Sequence, residues 1–120
     1  MLQESFSFSS LNSLGVTNLV STRSWKSINP FVGYDAIRRI SAGLESQEED
    51  DILQRIVFAE QIHESRVHVC QQGDGGSIRL SVDALVSSEP AHILVVYSSD
   101  CIPVLLYDPD NKVRGNTCRL

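Results

Sequence analysis

The sequence predicts a chain of both helix and strand, on three observations: one helical stripe, several stretches of strand alternation, and two short runs that are apolar throughout. Ile37, Ile40 and Leu44 fall on one side of a helix over 34–44, with Gly43 near its end. Beyond His63, apolar and polar residues alternate, first in Arg66-Val-His-Val-Cys70 and again over 77–82. Residues 92–97 and 102–107 read as apolar on both faces, the pattern of central strands covered on both sides.

The elements follow in order. Residues 1–29 are serine-rich, with Phe6 and Phe8 alternating with serines. The pattern predicts a loosely ordered arm over 1–15 that leads into a short strand around 16–21. Pro30 and Gly33 mark a loop before the helix, and Ser46 with Glu49 fits a capping box for a further turn or two. Residues 55–62 are open to two readings. Ile52, Ile56 and Ala59 continue a helical face, yet the segment is also rich in β-formers. The alternation at 66–70 sets Val67 and Val69 on one face and Arg66, His68 and Cys70 on the other, which predicts a solvated His68. Gly73-Asp-Gly-Gly76 breaks the chain. Asp108-Pro-Asp-Asn-Lys112 is a turn by composition, and Val113 begins a returning strand.

Composition narrows the function classes. The chain has 120 residues, 42% hydrophobic and 21% charged, which suits one globular domain. Its net charge is −5, with acids crowded into Glu45, Glu48, Glu49, Asp50 and Asp51. No basic run offers a footprint for nucleic acid or an anionic membrane. The run 93–97 is too short to span a bilayer, and the first residues lack the basic start and apolar stretch of a secretory leader. A cytoplasmic protein is the expectation. The three cysteines, Cys70, Cys101 and Cys118, are widely spaced with no CxxC pair, so they read as reduced thiols of which at most one is functional.

Few residues stand out for chemistry. Ser98-Ser-Asp-Cys101 is a polar tetrapeptide wedged between two apolar strands, where α/β proteins place reactive groups. The plainer reading is a turn followed by a small core residue. His63 sits at a strand end, His92 has no evident role, and Asp83 reads as a turn cap. Gly73-Asp-Gly-Gly76 lacks the Lys and the following helix of a phosphate loop.

Longer segments carry more. Asp83-Ala-Leu-Val86, followed after a gap by Leu94-Val-Val-Tyr-Ser-Ser-Asp-Cys-Ile-Pro-Val-Leu-Leu-Tyr-Asp-Pro109, resembles the laccase-domain family, also called the multicopper polyphenol oxidoreductase family. Glu60-Gln-Ile-His63 is similar to the family's Gln-Val-His segment, and Val20-Ser-Thr-Arg23 to its early Thr-Thr-Arg. The resemblance runs in patches from about residue 20 to 113.

That resemblance implies an α+β fold with a mixed β-sheet core flanked by helices, in which 55–62 is a strand delivering His63. It also implies a zinc-dependent purine nucleoside phosphorylase with adenosine deaminase activity, taking a purine nucleoside and phosphate. His63 and Cys101 would be metal ligands and catalytic groups, and Arg23 a phosphate contact. Copper belongs to the older polyphenol oxidase label, but one Cys with one or two His does not make a multicopper centre. The family's third ligand lies in a His-Ala-Gly-Trp-Arg-Gly motif, which should fall near Thr117 or Cys118 and is absent. The chain therefore reads as a single, incomplete family domain over 1–120 with impaired activity and a sheet left uncovered, through which it could self-associate. Two other readings are a peptidoglycan-precursor editing enzyme of the same family and a non-catalytic, degenerate binding domain.

Overall fold

The structure, a computed structural model, describes residues 5–21, 49–98 and 101–119. The expected helix over 34–44, Ser46, Arg23 and Asp100 lie outside them. The chain divides into two compact units, 1–52 and 53–120.

In the first unit, β1 (Ser5–Phe6) pairs antiparallel with β2 (Val20–Ser21), and α1 (Ser9–Asn12) lies between them in the chain. Asn18 organises this segment. Its side-chain oxygen accepts from the Phe8 N–H at 2.7 Å, and its amide nitrogen donates to Asn12 Oδ1 and to the Val16 carbonyl. Gly15 takes φ +79°, the left-handed turn that ends a short helix most cheaply.

Helix α2 (Glu49–Arg55) runs directly into β3 (Ile56–Ala59). The ambiguous segment resolves as a strand with a short helix before it: Ile56 and Ala59, which continued a helical face in the sequence, both lie in β3, and the β-branched Ile56 and Val57 begin the strand. Every residue of β3 is buried. It is the middle strand of a parallel three-stranded sheet, flanked by β5 (Ser77–Arg79) and β7 (Ile93–Val95). The second sheet has four strands in the order β4 (Val67–Val69), β6 (Ala84–Ser87), β9 (Val113–Arg119) and β8 (Ile102–Asp108). Strand β4 is parallel to β6, and the other pairings are antiparallel, so the core is mixed. The turn joining β8 to β9 is held by Asp108, whose carboxylate accepts from the Asp110 and Asn111 backbone N–H groups.

Val57 and Ala59 of β3 form one apolar cluster with Cys70 and with Leu85 of β6, joined by Val82, Leu94 and Val96. The two sheets therefore share a core. Polar ties reinforce it: the Asn116 amide on β9 donates to the Leu94 carbonyl on β7, and the Arg114 guanidinium donates to the Glu89 and His92 carbonyls. His92 is buried, with Nδ1 bonded to Ser87 Oγ at 2.8 Å, a satisfied core pair.

Two expectations are corrected. Strands β7 and β8 were expected at sheet centres, yet each has one strand partner among the described residues, and Ile102 and Leu106 on β8 are 67% and 63% exposed. His68 was expected in solvent, but it pairs in register with the fully buried Leu85 and points the same way, while Val67 and Val69 are 59% and 60% exposed. Polarity misassigned that strand because His68 has a carboxylate partner, Asp74, that allows it to turn inward. The register places Val67, Val69, Ile102 and Leu106 on one side of the four-stranded sheet.

Candidate functional site

The segment after β3 leaves the sheet through Glu60, Gln61 and Ile62 and turns at His63. That turn is set by one buried carboxylate. Asp83, 5% exposed, accepts the backbone N–H groups of Ile62 and His63 on Oδ1, at 2.9 and 2.8 Å, and that of Glu64 on Oδ2 at 2.9 Å. His63 itself takes φ +60°, a region costly for a residue with a Cβ and maintained only where its surroundings fix it. The Asp83 clamp fixes it and leaves the imidazole exposed. Asp83 is anchored in turn, since its carbonyl accepts from Thr117 Oγ1 and its N–H donates to the Arg66 carbonyl. The composition reading of Asp83 as a turn cap is right in kind, but the turn it caps lies 20 residues upstream.

Burial alone would push the Asp83 carboxyl up. The N–H groups of Ile62, Glu64 and His63 outweigh it and hold the group below its ordinary value of 3.8. A carboxyl depressed in the folded state stabilises the fold at pH values above its unfolded pKa, and that stabilisation is lost as pH falls through the folded value. Asp74 is lowered as well, first by the Gln71 N–H and then by His68. The expected outcome is a midpoint of urea unfolding that is steady near neutrality and drops below about pH 4. An Asp83→Asn variant should show a shallower drop across that range.

Gln61 ties this loop to the next strand. Its Nε2 donates to the Tyr97 carbonyl at 3.0 Å and its Oε1 accepts the Tyr97 N–H at 2.7 Å. The side-chain amide thus replaces a backbone rung just beyond the β3–β7 pairing, and Tyr97 stacks on Phe58 with rings 6.2 Å apart. Tyr97 begins the polar segment that runs to Cys101, where Ser98 Oγ donates to the Cys101 carbonyl. The structure therefore links the His63 loop to the strand that leads into Cys101. The residue patterns gave no reason to single out Gln61 or Asp83 for this; only their place in the resembling segments marked them.

Cys101 is bonded to Cys118, with Cα atoms 5.7 Å apart. Cys70 is the free, buried cysteine. The expectation of three reduced thiols is corrected for this form. Spacing could not have shown the pairing, which comes from the β8–β9 hairpin setting Cys118 opposite Pro103, two residues from Cys101. In the disulfide, Cys101 has no thiolate to offer a metal. Service of Cys101 as a zinc ligand would require the disulfide to be open, which would free the Cys118 sulfur as well.

The sequence profile of the multi-copper polyphenol oxidoreductase laccase family matches residues 17–117. The chain belongs to this family. Two curated relatives, both named purine nucleoside phosphorylase, are 40% identical over 61 residues. One is from Corynebacterium glutamicum, with 49% of this chain and 24% of the relative covered. The other is from Streptomyces coelicolor, with 51% and 25% covered. The chain thus matches about a quarter of the length of these relatives. Among solved structures, a Bacillus licheniformis hypothetical protein called YfiH superposes with a TM-score of 0.61 at 27% identity, covering 71% of this chain and 34% of that one. YlmD from Geobacillus stearothermophilus gives a TM-score of 0.60 at 22% identity over 72% and 34%, a likeness of fold. The mixed-sheet α+β architecture is that of the laccase-domain family. Among the described residues, no helix is long and apolar enough to cross a membrane.

Proposed function

We propose that this laccase-domain chain handles purine nucleosides and phosphate through a zinc site in which His63 and Cys101 are the ligands and catalytic groups. The observation that carries the reading is the pair of ties around His63: the Asp83 carboxylate fixes its backbone, and Gln61 bridges its loop to the strand leading to Cys101. The names of the curated relatives supply the substrate class. A zinc ion held there supplies Lewis acidity and an open coordination position. The chain's own part is positional: Asp83 holds the His63 turn, Gln61 holds Tyr97, and Arg23 is assigned the phosphate. Deamination of adenosine would draw on the same open position.

The pairing of Cys101 with Cys118 favours a second reading, a non-catalytic member of the family, for the oxidised form. Metal retention separates them. Reduced chain dialysed against zinc should retain it weakly, below one equivalent at this site, because two or three ligands with no second imidazole bind less tightly than a full set. His63→Ala and Cys101→Ala should each lower retention. Retention unaltered by both changes would favour the non-catalytic reading. In either form, self-association would use the exposed sheet face of Val67, Val69, Ile102 and Leu106.

A further inference from the structure

We propose that His68, Cys70 and Asp74 form a second divalent-metal site, for zinc or a similarly borderline-soft ion, separate from His63 and Cys101. One ligand atom from each of the three lies within 4.8 Å of the others. The local fold explains the convergence. His68 lies on β4 and Cys70 follows it by two residues, so period-2 alternation turns both side chains to the same, inward side. The Cys70 N–H donates to the Val86 carbonyl at 2.7 Å, which fixes the strand end against β6. A single 3-10 turn, Gln72–Asp74, then doubles the chain back and brings the Asp74 carboxylate to 2.8 Å from His68 Nε2. The return depends on Gly75, where an added Cβ would lie 2.4 Å from the Gln54 carbonyl oxygen.

The surroundings suit a bound cation's ligand shell. The Gln71 N–H donates to Asp74 Oδ2 at 2.8 Å, and Arg79 Nη1 lies 3.3 Å from Oδ1, so the carboxylate is oriented before any ion arrives. Such outer hydrogen bonds hold ligating groups in place. The His68 and Asp74 side chains are 21% and 12% exposed, which leaves the cluster reachable from solvent. A tetrahedral zinc needs neighbouring ligand atoms about 3.3–3.8 Å apart, so the hydrogen-bonded pair must part slightly and the sulfur close in. On binding, the Cys70 thiol proton would pass to solvent and His68 would take the Nδ1–H tautomer, so that Nε2 presents its lone pair, with water in the fourth position. An imidazole, a thiolate and one carboxylate select zinc or cobalt over magnesium or calcium.

Cobalt titration of the non-reduced protein tests this without any substitution. With Cys101 and Cys118 bonded, Cys70 is the remaining thiol of the three cysteines, so any sulfur-to-cobalt charge-transfer band in the near ultraviolet must come from it. The expected result is a saturable band, displaced by zinc, lost in Cys70→Ser and shifted at least roughly tenfold to higher cobalt in His68→Gln. No band in the non-reduced wild type, or a band that survives in Cys70→Ser, overturns the proposal. Because the His63 and Cys101 site needs the opened disulfide, failure there leaves this result unchanged, and the reverse also holds.

Discussion

Replacing Asp83 with Ala is expected to lower stability by about 3 kcal/mol and to release the His63 turn. Three backbone N–H groups lose a charged acceptor at once. A hydrogen bond to a charged partner is worth about 1.5–3 kcal/mol, and water recovers part of that for the exposed His63 and Glu64. The positive φ of His63 has no other clamp among the described residues, so the turn should relax toward ordinary backbone angles. Asn at the same position keeps an oxygen for Ile62 and His63 but turns an amide nitrogen toward the Glu64 N–H, and should cost less. Urea unfolding of the two variants, with the chemical shifts of the His63 ring, checks both parts. An Asp83→Ala variant as stable as the wild type would remove the clamp from the account.

The second large effect belongs to the hairpin. Cys118→Ser should cost about 3 kcal/mol in the absence of reductant, because a crosslink over a sequence separation of 17 restricts the unfolded chain by roughly that much. The same change frees Cys101. Thiol labelling under denaturing conditions should find one reactive cysteine in the non-reduced wild type, Cys70, and a second in the variant. Three reactive cysteines in the non-reduced wild type, against two in the variant, would mean that the hairpin carries no bond.

Much of the fold was legible where sequence period and burial agree. The Asp108 turn is an example: Asp and Asn there act through local hydrogen bonds and Pro through its fixed φ, none of which needs a distant partner. The strand between Ile56 and Ala59 was not legible from residue pattern. A fully buried strand has no alternation, and only its neighbours decide it against a helix. His68 misled for the opposite reason, because its partner Asp74 arrives through a turn whose direction rests on the Gly75 contact. At the candidate site, the resemblance gave His63 and Cys101 roles, whereas Asp83 and Gln61 lay inside its segments with no role attached. Asp83 and Gln61 act across 20 and 36 residues, and no local spacing encodes that. The Cys101–Cys118 bond is equally non-local, a product of strand register.

The most direct measurement is release of free purine base from inosine or adenosine in phosphate, by reduced chain supplied with zinc. Slow release is expected, and it should stop in both His63→Ala and Cys101→Ala and in the non-reduced protein. Release that persists at the same rate in both variants would contradict that expectation.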